Sequence, residues 1–139
     1  MFRGFATISF YADDLAAARD WYSELLDTKP YFAFPEAPAP PAYIEFRIGD
    51  DEDELGFIDR RYAPAGASGS PGGAVMFWHV DDLPGTLAKL LAMGATEYEP
   101  LTPRTSGFVT ASVVDPFGNV LGIMHNPHYV QILAARASA

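Results

Sequence analysis

Residues 6–13 (ATISFYAD) alternate in part between apolar and polar side chains and are rich in β-formers, which predicts a strand. Behind it, Leu15, Ala18, Trp21 (or Tyr22) and Leu25 recur every three to four residues, the spacing of one buried helix face. Asp13 or Asp14 is placed to cap that helix. Lys29-Pro30 ends it, because proline cannot donate to a helix ladder. A short strand (YFAF), a Pro-rich connector (PEAPAPPA), a strand (AYIEFRI), an acidic turn and a strand (ELGFID) follow. The order then recurs. AVMFWHVD reads as a strand, Asp81 or Asp82 opens a helix over LPGTLAKLLAM with Pro84 in its first turn, and Gly94 stops it. A weak strand around TEYEP, the loop LTPRTSG, strand FVTASVV, turn DPFGN and strand VLGIMH complete the second pass. The tail after Asn126-Pro127 is expected to pack one short turn and then fray.

Each half therefore reads β-α-β-β-β. The halves align at Asp14 and Asp82 (82 − 14 = 68) and at Gly56 and Gly122 (122 − 56 = 66). Asp-Asp-Leu opens both helices, and Leu-Gly followed by Phe or Ile sits in both last strands. A single such module leaves one sheet face uncovered, and pairing two covers both. The expected fold is α+β: two βαβββ modules forming a curved mixed sheet around a cleft, with helices on the outer faces. A chain of 139 residues suits one domain, here module one (4–61), a Gly/Ser/Pro/Ala linker (62–73), module two (74–127) and a C-terminal tail (128–139).

Composition narrows the functions. Hydrophobic residues at 49% and aromatics at 14% supply a substantial core. With no cysteine, disulfides and thiolate chemistry are excluded. A net charge of −9 repels phosphate backbones, so nucleic acid is not an expected partner. The run Asp50-Asp51-Glu52-Asp53-Glu54 is too short and too continuous for a calcium loop and reads as a solvated hairpin tip. No apolar run approaches the ~18 residues of a membrane span, and the start reads straight into a strand, so no signal peptide is expected. A cytoplasmic protein without a membrane partner is expected.

The double β-α-β-β-β order, the two DDL helix openings, Trp21-Tyr22 in the first helix and Asp115-Pro116-Phe117-Gly118-Asn119 before the last strand resemble the vicinal oxygen chelate superfamily, the glyoxalase, bleomycin resistance protein and extradiol dioxygenase fold. The resemblance covers about residues 4–127. It implies a metal ligand on the first strand of each module and another, usually Glu, on the last. Carried onto this chain, those positions are Thr7, Gly56, Val75 and Gly122. None is a normal ligand for a transition metal. The expectation is no metal and no cofactor. Strand parity also places His125 opposite Gly122 and Met124, so His79, His125 and the tail's His128 are not expected to converge on one ion.

On the same fold, period two selects the residues that face the cleft: Thr7, Ser9, Tyr11, Gly56, Val75, Phe77, His79, Thr110, Ser112, Gly122 and Met124. On the first module's middle strand the expected set is Ile44, Phe46 and Ile48, with Tyr43, Glu45 and Arg47 if a bulge reverses the register. The result is a mostly apolar cup with a few hydroxyls and an imidazole, the make-up of a small-molecule pocket. The two glycines add room, or else let core side chains fill the space. Three functions stay open. The first is metal-independent binding of a small hydrophobic or aromatic molecule, as in bleomycin-resistance-type proteins, where the resemblance also implies a homodimer. The second is a glyoxalase- or dioxygenase-like enzyme, with His79 and Tyr11 as its candidate proton-transfer pair. The third is an interaction module with a filled core.

Overall fold

The computed structural model describes residues 1–67 and 69–139. Two compact units, 1–68 and 69–139, each build a four-stranded mixed sheet with a helix against it.

Unit one comprises β1 (Thr7–Ala12), α1 (Leu15–Leu26), β2 (Phe32–Phe34), β3 (Tyr43–Ile48) and β4 (Asp53–Asp59), in sheet order β1-β4-β3-β2. β1 pairs parallel with β4, and the other pairs are antiparallel. Asp14 caps α1 by accepting from the Ala17 N–H at 3.0 Å. The helix buries Leu15, Ala18 and Tyr22, so Tyr22 rather than Trp21 completes its inner stripe. Tyr22, Phe10, Phe46 and Phe57 form the aromatic centre of this core, Tyr22 and Phe57 with ring centroids 4.4 Å apart. The acidic run divides: Asp50, Asp51 and Glu52 form the turn, and Asp53 and Glu54 begin β4.

Unit two comprises β5 (Met76–His79), α2 (Leu83–Ala92), β6 (Thr96–Pro103), β7 (Val109–Val114), β8 (Val120–His125) and α3 (Pro127–Ala137), in sheet order β5-β8-β7-β6. Asp82 caps α2 as Asp14 caps α1, and Leu83 and Leu90 are buried beneath it. The DPFGN turn is held by Asp115, whose Oδ1 accepts from the Phe117 and Asn119 N–H groups at 2.9 and 2.8 Å. Gly118 takes φ 91°, a left-handed conformation that suits glycine.

Three expectations are corrected. Val75 lies just before β5 and has no ladder partner. The tail is an eleven-residue helix, α3, because Asn126 caps it and Pro127 takes the first position, where a missing N–H costs nothing. The middle strand of unit one presents Ile44, Phe46 and Ile48 to the buried core, while Tyr43, Glu45 and Arg47 share the face of Gly56, with no bulge between β3 and β4. Among the described residues, no helix is long and apolar enough to cross a membrane.

Candidate functional site

Residues paired across a ladder project to the same side, so the register defines rows across each open sheet face, the one opposite the helix. In unit one the rows are Thr7–Glu54–Arg47, Ser9–Gly56–Glu45–Phe32 and Tyr11–Ile58–Tyr43–Phe34. In unit two they are Val120–Val114–Thr96, Phe77–Gly122–Ser112–Glu99 and His79–Met124–Thr110–Thr102. The sequence-predicted residues Thr7, Ser9, Tyr11 and Gly56 thus lie on one face of unit one. Phe77, His79, Thr110, Ser112, Gly122 and Met124 lie on one face of unit two. The internal repeat makes the two faces comparable: Ser112 stands where unit one has Glu45 (112 − 45 = 67), and Val114 where it has Arg47 (114 − 47 = 67).

The buried charge of the two faces lies on unit one, the Glu99–Arg104 pair of unit two being exposed. At the centre of the unit-one face Glu45 is only 8% exposed. The Tyr31 and Tyr43 hydroxyls donate to its Oε2 and Oε1 respectively. The Tyr31 N–H also donates to the Glu45 carbonyl at 3.1 Å, which extends the β2–β3 ladder and fixes Tyr31 beside the carboxylate. The Arg47 guanidinium lies 4.2 Å from the Tyr31 ring centroid. Thr7 donates to Glu54 Oε2 at 2.7 Å. Burial, and next the nearby charge of Glu54, push the Glu45 carboxyl above its usual range, with Arg47 pulling the other way. The same two causes raise the Tyr43 phenol. Around the carboxylate, Tyr31, Phe32 and Phe34 are 47%, 45% and 62% exposed, an aromatic surface in contact with solvent.

The glycines do not leave empty space. A Cβ at Gly56 would meet the Tyr43 ring, its Cε1 at 2.7 Å, and one at Gly122 would meet Phe77 Cδ1 at 2.7 Å and the Met76 carbonyl at 2.9 Å. An aromatic ring from the neighbouring strand fills each position, which corrects the expectation of added room. His79 has its Nδ1 occupied as acceptor from the Asn126 N–H at 3.0 Å and lies under the Tyr129 ring at 4.9 Å between centroids. It anchors the start of α3. Its ring is 5.5 Å from that of His125 despite their opposite parity in the ladder. His128 is exposed on α3.

The sequence profile of the Glyoxalase/Bleomycin resistance protein/Dioxygenase superfamily matches residues 4–123. The chain belongs to that superfamily. A glyoxalase-related enzyme from Fulvimarina pelagi has a similar fold, with TM-score 0.70 and 20% identity over 91% of this chain and 90% of that one. A superfamily member from Sphaerobacter thermophilus gives 0.69 at 15% identity over 90% and 98% of the two chains. A glyoxalase/bleomycin resistance protein from Catenulispora acidiphila gives 0.60 at 20% over 88% and 98%. At these identities the likeness is one of fold. No curated protein matches the chain.

The superfamily's metal does not fit the residues present. Gly56 and Gly122 offer no donor, Thr7 is engaged with Glu54, and Val75 is apolar. Among the described residues no group of three or more His, Asp or Glu side chains could hold an ion. Residue types alone point to that much. Glu45 and Tyr43 belong to the alternative register of the middle strand, whereas Tyr31 escapes sequence reasoning because nothing in the pattern links its hydroxyl to the Glu45 carboxylate.

Proposed function

We propose that this superfamily member binds a small molecule with an aromatic or otherwise apolar body, without a metal, in the manner of bleomycin-resistance-type proteins. The observation that carries the reading is the open face of unit one, where exposed Tyr31, Phe32 and Phe34 surround the buried Glu45 carboxylate. Apolar rings supply affinity through burial, and one sparse polar group supplies orientation. Three large exposed aromatics on so short a segment are otherwise a liability in water, which supports a ligand that covers them.

A thermal-shift screen tests this. An aromatic ligand at 100 times its Kd stabilises the fold by about 2.7 kcal/mol. Phe32→Ser with Phe34→Ser should abolish the response while leaving the unliganded fold intact, since both rings are exposed. A response unchanged in the double variant would contradict the assignment to this face. Homodimerisation belongs to the same proposal, and sedimentation velocity across a concentration series tests it, a monomer throughout being the contrary result.

Enzyme chemistry is a second reading favoured by one observation. A carboxyl raised by burial and held by two phenols is suited to take or give a proton. It would place acid–base catalysis at Glu45 rather than at His79, whose Nδ1 is occupied by backbone. Turnover that survives Glu45→Gln would contradict it.

A further inference from the structure

Glu45 has an environment that its own fold leaves incomplete. The side chain is more than nine-tenths buried, and both oxygens accept phenol hydrogen bonds, yet among the described residues no cation lies within ion-pair distance of it. Arg47, the cation on this face, lies over the Tyr31 ring, and its ladder partner is Glu54 rather than Glu45. The face therefore carries two carboxylates and one guanidinium. A buried carboxylate without a countercharge costs several kcal/mol, and a cation of good geometry offsets that cost. Phenol donors satisfy one lone pair on each oxygen and leave others free to accept.

The rings around Glu45 favour the same ligand charge. Tyr31 and Phe32 have centroids 6.3 Å apart, as do Phe32 and Tyr43, so three aromatic rings border the carboxylate. Their faces are electronegative and attract cations, as the Arg47 guanidinium over Tyr31 shows within this chain. The equivalent positions of unit two hold Ser112 and Thr110 in place of Glu45 and Tyr43 (112 − 45 = 67; 110 − 43 = 67), so this charged cage occurs in one unit only.

We propose that the ligand of the unit-one face is an aromatic compound bearing a protonated amine, its ammonium paired with Glu45 and its ring laid against Phe32 and Phe34. The proposal rests on the binding reading above and narrows it to a charge class. The raised carboxyl supports it, since a cation at Glu45 would draw that value back down and make binding release a proton in mildly acidic solution.

Titration calorimetry with matched pairs tests the assignment: tryptamine against tryptophol, phenethylamine against phenethyl alcohol, and naphthylmethylamine against naphthylmethanol. In each pair the amine should bind on the order of tenfold or more tighter than the alcohol. Glu45→Gln should remove that preference, so that amine and alcohol of a pair bind alike. Equal affinities within pairs, or a preference that persists in Glu45→Gln, overturns the proposal while leaving aromatic binding intact. Failure of every compound to bind overturns the underlying reading and the proposal with it. If Glu45→Gln does not fold, the pH dependence of the wild-type pairs decides. The groups facing Glu45 are Tyr31, Tyr43, Arg47 and Glu54, so the series is repeated on Glu54→Gln. Amine affinity that falls towards acid in both proteins, with the alcohol's unchanged, supports Glu45. A flat amine profile overturns it.

Discussion

Gly56 and Gly122 set the floor of the two open faces by admitting a ring from the next strand, Tyr43 over one and Phe77 over the other. Glycine is required there for space, since neither residue has a positive φ. Gly56→Ala would force its Cβ against the Tyr43 ring and should cost about 1–3 kcal/mol in chemical denaturation, the usual penalty of overpacking. The penalty should shrink in a Tyr43→Ala background, and a double-mutant cycle measures the coupling. Glu45 gives a second prediction, with a definite sign. Its folded carboxyl is raised, so the native state holds a proton that the unfolded chain has released. The associated stability is complete below the unfolded value of about 4.5 and is lost as pH rises through the folded value. Glu45→Gln should remove that loss of stability on raising the pH, read as the denaturation midpoint across a pH series. A midpoint–pH curve identical to wild type would contradict the buried carboxylate.

At the level of elements, both DDL openings became capped helices because the second aspartate reaches the N–H three residues on. Asp14→Ala and Asp82→Ala should each cost about 1 kcal/mol. That signal was legible in the sequence, as were the DPFGN turn and the alternation of β1, β7 and β8. Asn126-Pro127 carried the same cap-then-proline logic as Asp82-Leu83-Pro84. The tail behind it is expected from sequence to pack one short turn and fray, and the helix that forms there has no buried residue. α3 instead holds through Asn126, whose N–H meets His79, and through Tyr129 stacked on that imidazole. Tyr129→Ala should speed amide exchange along α3 selectively, leaving β7 and β8 protected. The face of β3 was unreadable for a different reason. Ile44, Phe46 and Ile48 have the make-up of either a pocket wall or a helix-facing core, and only the pairing Glu45↔Gly56 decides between them. With Tyr43, Glu45 and Arg47 held only as the alternative register, the sequence pattern does not assemble the phenol–carboxylate cluster.

For the molecule as a whole, the repeat that defines the fold does not extend to the chemistry. Two sheets share strand order, pairing and a glycine at matching rows, yet one presents Glu45, Glu54, Arg47 and three exposed aromatics while the other presents Val114, Val120, Ser112 and Thr110. Duplicated modules free one copy from the constraints on the other, so function here is a property of the site rather than of the fold. The net charge of −9 adds a long-range attraction for cations that salt should screen. Amine affinity is expected to weaken between low and physiological ionic strength, while that of the neutral alcohols holds.

Ring-proton and side-chain chemical-shift mapping in the presence of tryptamine, with a chelator added to remove divalent ions, tests metal-free binding on the unit-one face most directly. Binding there predicts shifts concentrated at Tyr31, Phe32, Phe34, Tyr43 and Glu45 and undiminished by the chelator. Shifts centred on Phe77 and His79 instead, or shifts that vanish when divalent ions are removed, would contradict it.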